Sequence, residues 1–118
     1  MAGKRQSGKY YEDAAIEYLK NEGIWIIDRN VHMSRLGEID IIGMDRSTAY
    51  GDTLVFFEVK YRSSDRYGTA VTAVTEQKKR TIRKCASYYL AYKKIDYYIR
   101  FDIIAIDGEK ISWYKNAF

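Results

Sequence analysis

The run over residues 53–61 is almost continuously apolar and aromatic, and it constrains the fold more than any other segment. Its composition is typical of a β-strand. Gly51 and Asp52 before it indicate a hairpin connection over residues 47–52. The sequence that starts at Glu38, Glu-Ile-Asp-Ile-Ile, also has strand composition. We therefore expect two neighbouring strands that pair as a hairpin.

Helical and strand patterns alternate along the rest of the chain. Apolar residues at helical spacing predict helices over residues 8–22, with Gly23 as the C-terminal stop, and over about residues 72–93. Three further strands are predicted over residues 24–31, 98–106 and 110–114. The order αβββαββ predicts an α/β fold in which a mixed sheet is flanked by helices.

Size and composition limit the class of protein. The 118 residues fit a single domain, 1–118. The apolar runs are shorter than the roughly 20 residues of a membrane span, and the basic start lacks the apolar run of a signal peptide. The single cysteine, Cys85, excludes an intramolecular disulfide framework. A cytoplasmic protein is expected.

The ends of the two apolar strands carry charged residues. Side chains alternate along a strand, so Asp40 on one strand and Glu58 and Lys60 on the next are expected on one face, with Ile39 and Ile41 on the other. Two carboxylates repel unless a cation or a proton separates them. Mg²⁺ accepts carboxylate oxygens and is completed by substrate phosphate, so the pattern favours a magnesium (or manganese) site. The alternative is a surface ion pair between Glu58 and Lys60, with Asp40 solvated.

Glu12 is a weaker member of this group. On a helical wheel it lies at the margin of the apolar stripe of the first helix, where it could face the sheet. The alternative is a surface glutamate in the first helical turn, favoured by the helix dipole.

Several sequence blocks together resemble one known family. They are Gly8-x-x-x-Glu12-x-x-Ala15, Gly37-Glu38-Ile39-Asp40, Phe57-Glu58-Val59-Lys60-x-Arg62, Arg100-Phe101-Asp102 and Asn116-Ala117-Phe118. In this order they resemble the YraN family, which is similar to archaeal Holliday-junction resolvases and belongs with the PD-(D/E)XK, restriction-endonuclease-like nucleases.

The resemblance implies a role for each matching residue. Asp40, Glu58 and the main-chain carbonyl of Val59 would be metal ligands, Lys60 the catalytic lysine, and Glu12 the glutamate of the N-terminal helix. It implies a metal-dependent endonuclease that acts on DNA, including branched or structured DNA, and works as a homodimer. The alternative function is an accessory protein that keeps the nuclease fold and binds DNA or a protein partner without cutting.

Basic residues cluster although the net charge is only +4. They are Lys78, Lys79, Arg80, Arg83 and Lys84, on the polar side of the predicted second helix, together with Arg62 and Arg66 in the preceding loop. Such a face could follow DNA phosphates, whereas the alternative is an ordinary solvated helix face. The sequence shows no base-recognition motif, so recognition by shape is expected.

Other conspicuous residues receive structural interpretations. Tyr88, Tyr89, Tyr92, Tyr97 and Tyr98 are interpreted first as packing residues of a core or a subunit interface. His32 is interpreted as structural, and Asp102 as a brace of the sheet without chemistry.

Overall fold

The computed structural model describes residues 4–64, 66 and 68–118, with residues 4–7 described by their backbone alone. The elements are α1 (Lys4–Asn21), β1 (Trp25–His32), β2 (Glu38–Asp45), β3 (Thr53–Arg62), a 3₁₀ turn (Val71–Ala73), α2 (Glu76–Lys93), β4 (Tyr98–Asp107) and β5 (Lys110–Tyr114). This order confirms the predicted αβββαββ arrangement. The fold is α/β, with a five-stranded mixed sheet flanked by two helices.

The strands lie in sequence order across the sheet, so β3 is central. The first three strands form an antiparallel meander, whereas β3 and β4 are parallel and are joined through α2. Pairing between β2 and β3 ends at Ile41 and Phe57, although β2 stays paired with β1 down to Glu38. A gap therefore opens between β2 and the last residues of β3.

Each face of the sheet carries its own core. Val55 and Phe57 pack with α1, whereas Leu54 and Phe56 pack with α2. Since neighbours on β3 alternate between the helices, the alternation predicted for this strand is confirmed.

The alternation predicted for β2 is wrong at its beginning. Ile41 packs in the core on the α1 side, but Ile39 packs in the core on the α2 side. Two residues at a spacing of two share a face in a regular strand. Strand β2 is therefore irregular at Asp40, between them.

The helix boundaries differ from the predicted ones. Helix α1 begins at Lys4 instead of residue 8, and Gly23, at a φ of 91°, follows its end as predicted. Helix α2 begins at Glu76 instead of residue 72, because the Thr75 hydroxyl accepts a hydrogen bond from the Lys78 N–H (3.1 Å) and caps the helix. Of the predicted loop over residues 62–70, Arg62 belongs to β3, and positions 65 and 67 lie outside the described residues.

Neither α1 nor α2, nor any other helix in the described part of the chain, has the length and apolar character needed to cross a membrane.

A buried ionic group holds the far end of the sheet together. Asp102 is fully buried and accepts hydrogen bonds from the Arg100 guanidinium, the Trp113 indole (2.9 Å) and the Asn116 main chain (2.8 Å). Arg100 also binds Asp45 of β2 (2.9 Å). Asp102 thus joins β4 to the end of the chain and, through Arg100, to β2, which agrees with its predicted bracing role.

Candidate metal and nucleic-acid site

The gap between β2 and β3 is occupied by Asp40. Its Oδ2 accepts a hydrogen bond from the main-chain N–H of Val59, at 2.9 Å. The N–H and C=O of one strand residue point to the same neighbouring strand, so the Val59 carbonyl faces this gap as well. Asp40 therefore takes the place that a β2 backbone partner would fill.

Glu58 is the buried carboxylate beside Asp40. Only 8% of its side chain is exposed, and its Oε1 has no hydrogen-bond partner among the described residues. Burial, and then the neighbouring Asp40, raise the pKa of Glu58 to about 9, although Lys78 and Lys60 act in the opposite direction. Two carboxylates in this setting need a shared proton or a bound cation.

Glu12 and Glu38 bring two more carboxylates to Asp40. One oxygen from each of these three residues lies within 4.8 Å of the others. Burial and Asp40 raise the pKa of Glu12, although Arg29 lies 3.6 Å away. Glu12 therefore faces the sheet. Because α1 begins at Lys4, Glu12 is not in the first turn, and the helix-dipole alternative is excluded.

Glu38 is fixed by its neighbours. Its Oε2 lies 2.9 Å from the Nε2 of the His32 imidazole. Gly37 has a φ of 145°, and a Cβ there would lie 2.8 Å from Thr81 on α2. Only glycine allows the β1–β2 turn to approach α2 so closely.

The site opens into a cleft of about 950 Å³. Its wall includes Lys60 and Lys78 along with Glu12, Asp40 and Glu58. A smaller cavity of about 260 Å³ joins Glu58 and the two lysines to the start of α2. The predicted grouping of Asp40, Glu58, Lys60, Val59 and Glu12 is thus found in the fold.

Two aromatic rings border the cleft. Tyr11 and Tyr61 are stacked, with their ring centroids 3.5 Å apart. Sequence reasoning did not single them out, although each is adjacent in the chain to a predicted site residue, Glu12 and Lys60.

The predicted basic face is only partly a solvent face. Arg80, Arg83 and Lys84 are exposed, as predicted. Lys79 is turned towards Glu76 (3.1 Å), and Lys78 lies 3.9 Å from Glu58 inside the cleft. The placement on the polar side of α2 is therefore wrong for Lys78, whereas the pairing of Lys79 with the exposed Glu76 does not contradict it.

Lys78 is the cleft residue whose position sequence reasoning missed. Its place depends on the Thr75 cap, which sets where α2 begins and hence which side chains of the first turn meet the end of β3. A Ser or Thr followed three residues later by a lysine is too common to identify this contact in the sequence.

Arg62 also lies at the cleft. It is half-buried, and its Nε is buried without a hydrogen-bond partner in the described part of the chain. A guanidinium in this position can bind an anion that enters the cleft.

The core position considered for the clustered tyrosines holds for one of them. Tyr89 is 5% exposed and lies in the α2 core. The other four expose half or more of their surface: Tyr88, Tyr92, Tyr97 and Tyr98. They are not core residues, and the core interpretation is wrong for them.

The donors at the gap suit a hard divalent cation. Asp40 offers a carboxylate oxygen together with Glu12 and Glu38, whereas Glu58 neighbours Asp40 but lies outside that group of three. These carboxylates and the Val59 carbonyl are ligand types of Mg²⁺ and Mn²⁺. The unpartnered Glu58 oxygen supplies a buried acceptor that such an ion would satisfy. The residues present therefore fit a magnesium or manganese ion.

Known proteins resemble this chain over its whole length. A UPF0102 protein of Shewanella pealeana is 40% identical over 100% of both chains. A UPF0102 protein of Legionella pneumophila is 42% identical over 97% of this chain and 95% of its own, and one of Vibrio campbellii is 41% identical over 99% and 95%. Residues 11–106 match the uncharacterised protein family UPF0102. The chain therefore belongs to this family.

Proposed function

We propose that this protein is a magnesium- or manganese-dependent endonuclease that hydrolyses phosphodiester bonds of DNA. The observation that carries the proposal is the buried Glu58 beside Asp40, in a cleft that also contains Lys60, because its Oε1 has no hydrogen-bond partner among the described residues. The ion pair with Lys78 reaches only Oε2, so Oε1 remains available as an acceptor, and buried carboxylate oxygens are normally hydrogen-bonded.

The sequence resemblance supports the same reaction class. Asp40 on β2 and Glu58-x-Lys60 on the next strand match the D…E-x-K motif of the PD-(D/E)XK nucleases, which the chain resembles. The αβββαββ order with a mixed sheet is also consistent with a restriction-endonuclease-like fold.

Asp40, Glu58 and the Val59 carbonyl would hold the ion, and Glu12 and Glu38 are close enough to Asp40 to support it. When bound, a divalent ion makes water more acidic and neutralises charge on a phosphodiester.

The chain's own residues supply positioning and positive charge. In hydrolysis, a water oxygen bonds to phosphorus and a sugar oxygen leaves with a proton. The Lys60 ammonium would orient the water and offset the negative charge that develops on the phosphate. Lys78, 3.9 Å from Glu58, adds a second positive charge on the α2 side of the cleft.

The exposed basic residues of α2 would extend the DNA contact. Arg80, Arg83 and Lys84 carry no base-reading motif, so they would bind phosphates and recognise shape. A resolvase-like reaction on branched DNA would use two copies of the chain, one for each strand.

The test compares the purified wild-type protein with Asp40→Asn, Glu58→Gln and Lys60→Met. Plasmid, single-stranded and four-way-junction DNA are incubated with Mg²⁺, Mn²⁺ or EDTA. We expect cleavage with either ion, none in EDTA, and rates lower by at least about a hundredfold in each variant, since even residues outside the ligand shell cost 10–100-fold.

Glu17→Gln is the matched control, because Glu17 lies exposed on the same helix as Glu12. It should cleave like the wild type. DNA binding without cleavage under every condition would contradict the enzyme and favour the accessory function.

A further inference from the structure

A second pocket lies apart from the acidic cleft, between the turn after β1 and the C-terminal half of α2. Its volume is about 630 Å³. Val31, Met33 and Leu36 line it with apolar side chains, and Tyr88 and Tyr92 of α2 line it with aromatic rings. The pocket is thus flanked by aromatic rings and reaches solvent.

The two rings are available to a ligand. Tyr88 is 59% exposed and Tyr92 is 81% exposed. Other tyrosines of this protein are exposed as well, and these two are distinguished because both line one pocket. Tyr89, between them in sequence, shows the ordinary alternative, since it is buried in the core.

The charges around this pocket favour an anionic ligand. Arg35 and Lys93 line it against one carboxylate, Asp28, so the charged residues of its wall carry two positive charges and one negative charge. His32 also lines it and binds Glu38, the carboxylate next to Asp40. One pair of side chains, His32 and Glu38, therefore connects the wall of this pocket to the carboxylates around Asp40.

One row of α2 links basic to aromatic side chains. Arg80, Lys84, Tyr88 and Tyr92 follow one another at a spacing of four, and all four are exposed. Side chains at this spacing form a continuous ridge, about 18 Å long over twelve residues. Cations followed by rings along one ridge match what single-stranded nucleic acid needs, namely contacts for phosphates and faces for bases.

We propose that this pocket binds unpaired bases of a DNA strand, which stack on Tyr88 and Tyr92 while Arg80, Lys84 and Lys93 hold the adjacent phosphates. The proposal rests on the proposed function in that the strand would continue into the acidic cleft. It makes the preferred substrate a DNA with a single-stranded segment next to the scissile bond.

The test measures binding without cleavage. Fluorescence anisotropy in EDTA compares a labelled dT 12-mer, an abasic 12-mer with the same backbone, and a 12-base-pair duplex. We expect the wild type to bind the dT 12-mer at least about tenfold more tightly than the abasic strand, because each stacked base contributes to affinity.

The variants separate the rings from the charges. Tyr88→Ala/Tyr92→Ala should lose this tenfold preference and keep its affinity for the abasic strand, and Tyr88→Phe/Tyr92→Phe should keep both. Arg80→Gln/Lys84→Gln should weaken both strands alike. Tyr97→Ala, which removes an exposed tyrosine outside this pocket, is the control and should change neither.

Equal binding of the dT and abasic strands by the wild type would overturn the proposal without any variant. The proposal would also be overturned if Tyr88→Ala/Tyr92→Ala left DNA binding unchanged and altered only the molecular mass measured by light scattering. The two rings would then form an interface between copies of the chain. The binding assay contains EDTA, so its outcome does not depend on cleavage. A protein that prefers the dT strand but cleaves no DNA would contradict the proposed function and leave the base-binding proposal intact.

Discussion

The side chain of Asp40 replaces a backbone partner of Val59. The 2.9 Å hydrogen bond between them lies where the ladder of β2 and β3 has ended, and it holds Asp40 at the edge of the central strand beside Glu58. The same opening in the sheet that breaks the ladder therefore creates room for a ligand between two carboxylates.

Glu58 makes the stability of the metal-free protein depend on pH. Its folded pKa is raised from 4.5 to about 9, so the folded state keeps a proton that the unfolded chain releases. Stability is therefore lost as the pH rises through 4.5, and the loss is complete above about 9. By pH 7 it is on the order of 3 kcal/mol.

Urea unfolding of the wild type and Glu58→Gln in EDTA, from pH 4 to 9, measures this loss. The variant should be the more stable protein at pH 7 and above, and the difference should vanish near pH 4. Glu17→Gln should show no such trend. A difference between the wild type and Glu58→Gln that stays constant with pH would contradict the assignment.

Glu12 should contribute to binding of a divalent ion. Its carboxylate lies with those of Glu38 and Asp40, so Glu12→Gln should lower Mn²⁺ affinity by roughly tenfold, the lower range for a residue that supports a metal site. Calorimetric titration measures the affinity. Glu17→Gln removes the same charge from an exposed position of α1, and equal losses in both variants would show a general effect of helix charge.

The exposed cations of α2 should govern the salt dependence of duplex binding. Arg80→Glu/Lys84→Glu should weaken binding and lower the slope of log K against log salt by about 2, since each phosphate contact contributes about 0.9. Arg83 is left unchanged because its guanidinium lies 5.5 Å from the Phe118 ring. Lys20→Glu/Lys110→Glu provides the same change of charge elsewhere, and an identical slope in both double variants would exclude a specific DNA face.

Asp102 should matter for stability far more than a surface aspartate. Asp102→Ala leaves Arg100 buried with an incomplete set of partners, and removing one member of such a group costs about 3–5 kcal/mol. Asp52→Ala breaks only the exposed pair with Arg46 and should cost less than about 1 kcal/mol. Urea unfolding compares the two, and similar losses would refute the bracing role.

The sequence was sufficient for the element order and for the group at Glu58 and Lys60. Apolar strands with a period of two and helices with a period of 3.6 are local patterns, and β3 follows its pattern without interruption. Asp40 was correctly predicted to lie near Glu58, but the regular alternation assumed for its strand was wrong. The sequence does not reveal the irregularity that places Ile39 and Ile41 on opposite faces of the sheet.

Contacts between distant elements were less accessible. Lys78 reaches Glu58 only because α2 begins at its Thr75 cap, and Tyr88 and Tyr92 remain exposed because Tyr89 alone points into the core. Both outcomes depend on the rotation of α2 about its axis against the sheet. The sequence of the helix requires its apolar stripe to face the sheet. Whether a residue at the margin of that stripe is buried or exposed depends on the packing of α2 against the sheet.

The pairing of β3 with two different neighbours has a consequence for the order of folding. The meander of β1, β2 and β3 joins residues that are close in the chain, whereas the parallel ladder joins positions 53 and 98 and must wait for α2. The bond between Asp40 and Val59 belongs to the early part, and the contact of Glu58 with Lys78 to the late one. In pulsed amide exchange during refolding, the amides of β2 should therefore become protected before those of β4. The folding chain brings Asp40 and Glu58 together before α2 has docked against them.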